Sequence, residues 1–156
     1  MDDKTEFLSR VKDIHRIGSI QGHLGWDQET FMPEKGAQSR GEIMAWLAAL
    51  AHEKVTDPEM GALMERLETQ DNLDESDRAN IREFRKRYDK ATKLSAEFVS
   101  TFAQARSEAL VGWQKARKNA DFSAFLPHLE QLVALTRQKI DAYGVDFLTS
   151  QCDELF

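Results

Sequence analysis

The apolar residues of this chain recur at steps of three and four, and no stretch alternates strictly between apolar and polar. That spacing buries one stripe of a helix and fits no face of a sheet. The first stripe is Phe7, Val11 and Ile14, flanked by Leu8 and Ile17. Gly18, Gly22 and Gly25 weaken its second half, so its end is left open until the break at Met32, Pro33 and Gly36. A second helix carries Ile43, Met44, Leu47 and Leu50–Ala51, with Trp46 beside the stripe. It stops before Thr56, which stands three residues before Glu59 as in a capping box, with Pro58 suited to a first turn. Leu63, Met64 and Leu67 then face inward, and polar residues from Thr69 to Asn72 form a loop.

Three further helices announce their starts. Asp74 precedes the stripe Ile81, Phe84, Tyr88 and Ala91. Ser95 precedes Phe98, Phe102, Ala105, Ala109, Trp113 and Ala116. Asp121 precedes Phe125, Leu129, Leu132, Thr136, Ile140 and Tyr143. Each is a side chain that accepts from a free amide of a first turn. Pro127 lies early enough in the sixth helix to be tolerated, and Gly144 stands where a glycine ends one. The basic run Arg82, Arg85, Lys86 and Arg87 reads as a solvated flank pairing with nearby carboxylates. The expectation is all-α: about six amphipathic helices in a bundle or helical array, one domain over residues 1–156.

Composition narrows the function. With 21 Lys and Arg against 27 Asp and Glu, the formal charge of −6 has the wrong sign for a nucleic-acid binder. No apolar run approaches the roughly 18 residues of a membrane span. The acidic start, MDDKTEFLSR, is unlike a signal or transit peptide, so a cytoplasmic location is expected. Cys152 is the sole cysteine, which leaves no internal disulfide and reads as an incidental thiol.

Residue spacing offers no catalytic centre. His15, His23, His52 and His128 are the conceivable metal or acid–base groups, and surface or capping roles suit them better. His15 and His23 would share a face only if one helix ran through both, which the glycines between them oppose. His52-Glu53-Lys54-Val55-Thr56 has the first half of HExxH, but Thr56 cannot replace the second imidazole. The stretch is also expected at a junction of two helices, where the register would fail. There is no Glu-x-x-His pair, phosphate-cradling glycine loop or nucleophile elbow. Catalytic and metal-binding residues are therefore expected to be absent.

The least ordinary segment runs from Gly25 to Pro33, where Trp26, Phe31 and Met32 stand among polar side chains. One reading is a helix end, with Trp26 and Phe31 buried and Asp27 or Thr30 satisfying backbone groups. The other is the wall of a substrate groove, with Trp26, Asp27 and Gln28 as its candidate residues.

That segment also carries a resemblance. WDQETFMPEKGAQSRGEIMAWLAALAHEKVTDPEMGALM resembles the N-terminal region of the carboxypeptidase Taq family of thermostable metallocarboxypeptidases. ANIREFRKRYDKATKLSAEFV, SEALVGWQKARKNADFSAFLPHLEQLVAL and TRQKIDAYG follow the same pattern in order, from about Leu8 to Gly144, and the likeness fades over Val145 to Phe156. The resemblance implies a zincin-like helical fold and removal of single C-terminal residues from peptides, often by homodimers. It implies zinc or cobalt held by an HExxH helix and a later Glu, with the motif's Glu as general base. None of those motifs has a match in this chain. The resemblance thus implies the N-terminal, groove-lining helices, inactive alone, with peptide substrate bound only in a full-length context. The competing expectation is a free-standing interaction or dimerisation module whose uncovered apolar helix face takes a partner, most simply a second copy.

Overall fold

Six helices follow one another with short connections in the computed structural model, which describes residues 2–144. They are α1 (Asp3–Thr30), α2 (Ala37–Thr56), α3 (Pro58–Glu68), α4 (Glu75–Ala91), α5 (Ala96–Asn119) and α6 (Phe122–Tyr143), with a 3-10 turn at Glu34–Gly36 before α2. No strand occurs among the described residues, so the all-α expectation holds. Cys152 lies outside them.

The helix starts follow the sequence closely. The Asp74 carboxylate accepts from the Asp77 amide at 2.8 Å, Ser95 Oγ from Phe98 at 3.1 Å, and Asp121 from Ala124 at 3.2 Å. Each contact satisfies an amide that has no partner within its helix. Gly144 accommodates a φ of 83° just past α6, where a side chain would be strained.

Two expectations about helix ends need correction. The cap of α3 is Asp57, whose carboxylate accepts from the Glu59 amide at 2.9 Å. Thr56 is the last residue of α2, and its hydroxyl donates back to the His52 carbonyl at 2.9 Å. Asp57 wins because the residue directly before Pro58 must leave the helical region, and there its side chain reaches the free amides. The other correction concerns α1, which runs unbroken through Gly18, Gly22 and Gly25. Each glycine in a helix interior costs about 1 kcal/mol relative to alanine. Packing of the helix on its neighbours offsets that cost, as tertiary contact commonly outweighs propensity.

The main core lies at one end of the molecule. Phe7 and Ile14 of α1, Val55 of α2, Met60, Leu63, Met64 and Leu67 of α3, and Ile81 and Phe84 of α4 form one buried cluster with Leu73. The Phe7 and Phe84 rings meet edge to face with centroids 5.7 Å apart. Arg85 clamps α4 to α3 through both carboxylate oxygens of Glu68, at 3.1 and 3.2 Å, as the solvated-flank reading anticipates.

The α2–α5 pairing is built differently. Gly41, Ala45 and Ala48 face α5, whose own buried residues include Ala105, Ala109 and Ala116. Small side chains let the two backbones approach, and that approach displaces the larger residues expected on these faces. Ile43 is 42% exposed and Trp113 41% exposed, while Phe98 and Phe102 are only partly buried. On α6 only Leu135 is buried, and the expected inward residues Thr136 and Ile140 are exposed. Gly112 of α5 holds the α6 contact, because a Cβ there would lie 2.5 Å from the His128 ring.

Candidate functional site

The crossing of these helices leaves a groove of about 710 Å3 between the second half of α1, α2, α5 and α6. Its lining is mostly apolar: Met44, Phe98, Phe102, Leu110, Trp113, Phe125 and Leu132, with Leu94 at the start of α5. Gln21, Glu29, Arg106 and Lys139 supply polar groups around that surface. The groove exists because α5 turns its alanines to α2, leaving its aromatic residues on the adjoining side, too far from α6 to be sealed. Lys139 Nζ stands 5.4 Å from the centre of the Phe102 ring and 5.7 Å from that of Tyr143. Arg117 sits over Trp113 at 5.2 Å, so cations cover aromatic faces on both helices. A concave, largely apolar surface with few polar groups is the kind that binds small or extended organic ligands.

The three residues singled out from sequence take different places. Gln28 lines the groove and is 6% exposed. Its Nε2 donates to the Ser107 carbonyl at 2.9 Å, and Ser107 Oγ donates to its Oε1 at 3.0 Å. It therefore fastens α1 to α5 as part of the groove wall. Trp26 is 60% exposed and lines a shallow concavity with Ser19, Gly22 and His23. Asp27 accepts from Arg40 Nη2 at 2.5 Å, and Arg40 also donates to the Leu24 carbonyl, tying α1 to α2. The expected burial of Trp26 and Phe31 fails, since Phe31 is 75% exposed and packs edge to face on Trp26 outside the core. The helix-end reading holds for Thr30, whose hydroxyl donates to the Trp26 carbonyl at 2.8 Å.

Sequence reasoning assigned Phe98, Phe102, Trp113, Phe125 and Leu132 to buried stripes and missed them as groove residues. One signal was present: α5 offers both an aromatic set and an alanine set, too wide a surface for a single neighbour.

The histidines lie on three helices. His15 and His23 are exposed on α1, and His23 Nδ1 lies 2.8 Å from the Ser19 carbonyl. One helix does run through both, contrary to expectation. His52 is partly buried on α2, and burial holds its imidazole below the ordinary value of 6.5. His128 packs at Gly112 and beside Phe125. The His52–Thr56 stretch lies wholly inside α2, so the spacing expected to fail is intact. A threonine hydroxyl still stands where an imidazole would be needed. Among the described residues no three His, Cys, Asp or Glu side chains gather to hold a metal ion, so the donors there do not fit one. No helix among them is long and apolar enough to cross a membrane.

A family model described as carboxypeptidase Taq (M32) metallopeptidase matches residues 6–155. Thermostable carboxypeptidase 1 of Thermus thermophilus is 37% identical over 138 residues, covering 86% of this chain and 27% of that protein. Its namesake in Pyrococcus furiosus is 30% identical over 141 residues, covering 90% and 28%. The chain thus spans little more than a quarter of the length of these relatives. Among solved structures, Trypanosoma cruzi metallocarboxypeptidase 1 is similar with a TM-score of 0.68 at 32% identity, over 92% of this chain and 29% of that one. The crystal structure of BsuCP is similar in fold with a TM-score of 0.89 at 24% identity, over 99% and 35%.

Proposed function

The chain belongs to the carboxypeptidase Taq (M32) metallopeptidase family, and from that premise we propose that it is the N-terminal, groove-lining part of a metal-dependent carboxypeptidase. In this reading the α1–α2–α5–α6 groove receives an extended stretch of a peptide, while the metal and the hydrolytic groups come from protein outside these helices. The observation that carries it is the open, mostly apolar groove in a chain that the family model matches over residues 6–155. Gln28 and Ser107 keep the α1 wall in place, the aromatic residues of α5 supply apolar contact, and Arg106 and Lys139 supply positive charge. The metal, zinc or cobalt in the reading from resemblance, would polarise water for attack on the scissile carbonyl. No residue described here takes part in that step, and the reading includes a cytoplasmic setting.

The test uses the purified 156-residue chain. It is expected to carry no stoichiometric zinc or cobalt by elemental analysis and to release no C-terminal amino acid from a blocked dipeptide. Stoichiometric metal together with turnover would overturn the reading.

A further inference from the structure

A second concavity, of about 310 Å3, opens between α3 and α4 and shares no residue with the groove. Leu73 and Ile81 stand at its base. Its walls are basic: Arg82 follows Arg78 by four residues, and Arg85 and Lys86 follow Arg82 by three and four. Those steps bring side chains to one face of a helix. In a chain of formal charge −6, this concentrates positive charge at one place. Glu68 is the one carboxylate of the lining, and Arg85 takes both its oxygens at 3.1 and 3.2 Å. Lys86 pairs with Glu83 at 3.3 Å. Arg78 has no carboxylate among the described residues, and its Nη2 donates to the Gln70 and Asp71 carbonyls at 3.3 Å. Arg82 reaches Glu83 only at 3.9 Å, beyond hydrogen-bond distance. Like charges four residues apart on a helix repel, and an anion held between Arg78 and Arg82 relieves that repulsion.

We propose that this concavity binds a small amphipathic carboxylate, an anionic head joined to a short aliphatic chain. The head lies between the Arg78 and Arg82 guanidiniums, whose planar forks match the two oxygens of a carboxylate. The Arg85–Glu68 pair shows that geometry already in use in the same concavity. The aliphatic chain lies along the methylene stems of the arginines and points to Leu73 and Ile81, leaving water as it does so. An inorganic anion would fill little of a space whose volume is near the roughly 300 Å3 at which organic ligand sites begin. A neutral hydrocarbon would leave the guanidiniums unmatched, and the ammonium group of a free amino acid would be repelled by the four cations. The inference does not rest on the peptidase reading, since the groove is built from other residues.

Titration of the 156-residue chain with hexanoate, followed by amide chemical shifts in a heteronuclear NMR experiment, tests this. Saturable shifts are expected for residues 67–86, with acetate binding about tenfold more weakly because it lacks the chain. Hexanamide, which keeps the chain and lacks the charge, should leave those amides unmoved. Arg82→Gln should raise the hexanoate dissociation constant about tenfold, and Arg82→Lys by less, since the charge stays while the fork is lost. The Arg82 side chain is 60% exposed, so both variants should keep the helical circular dichroism of the parent chain. Shifts confined to α5 and α6 would put the acid in the groove and overturn the proposal. So would the absence of any saturable shift, an affinity indifferent to Arg82→Gln, or inorganic phosphate binding as tightly as hexanoate.

Discussion

Gln28 and Ser107 exchange two hydrogen bonds across 79 positions of sequence in a setting that excludes water. Buried polar groups of this kind contribute modestly when paired and cost far more when one partner is removed. Gln28→Leu is expected to destabilise the fold by about 1–3 kcal/mol, and Ser107→Ala by less, because the Ser107 carbonyl remains to accept from Gln28. The double variant should cost less than the sum, which a urea-denaturation cycle reads directly. Additive losses would mean that the two side chains stabilise independently. His52 gives a pH-dependent counterpart. Burial lowers its folded-state affinity for protons, while the unfolded chain titrates near 6.5. The unfolded state thus binds more protons as the pH falls, so stability is retained above that value and lost below it. Unfolding midpoints between about pH 8 and about pH 5 should fall more steeply for the parent chain than for His52→Gln. Identical slopes would remove His52 as a source of acid sensitivity.

At the scale of the helices, glycine shows how position decides the sign of a substitution. Gly18 lies inside α1 with no atom within 4 Å of an added Cβ. Gly18→Ala should therefore stabilise the protein by about 0.5–1 kcal/mol, through propensity and a less disordered unfolded chain. Gly61 lies on α3, where an added Cβ would stand 2.6 Å from Tyr88 Oη and 3.0 Å from Cζ. Gly61→Ala must push the tyrosine ring out of the α3–α4 contact and should cost about 1–3 kcal/mol. Thermal denaturation of the two variants should move in opposite directions, and a common direction would contradict the packing described. Residue spacing predicted Gly18 as a weak point of α1, yet the helix passes through it. Propensity is a local quantity of under 1 kcal/mol per residue, and burial of Phe7, Ile14 and Ile17 along the same helix outweighs it.

Across the whole molecule, burial is uneven. Four residues of α3, Met60, Leu63, Met64 and Leu67, have no exposed surface, whereas α6 buries only Leu135, which keeps 8% of its surface exposed. Local opening follows that distribution, since elements with few buried contacts open without global unfolding. Native-state hydrogen exchange should show the α3 amides exchanging last and those of α6 first among the six helices. Equal protection of α3 and α6 would mean that the groove side is as firmly held as the core. A loosely held α6 also suits a helix that closes one side of a groove.

Sequence alone determined the helical class, the number of helices and most of their starts, because spacing and caps act within a turn or two of the chain. Asp74, Ser95 and Asp121 were legible for that reason, and Thr56 was misread only by one position. Which stripe of each helix becomes the interior depends on what arrives from elsewhere in the chain. The close α2–α5 approach through Gly41, Ala45 and Ala105 turned Ile43 and Trp113 outward and left Phe98 and Phe102 lining a groove. Only the tertiary structure could decide this, since a helix with two apolar surfaces carries no local signal for which one its neighbour will cover.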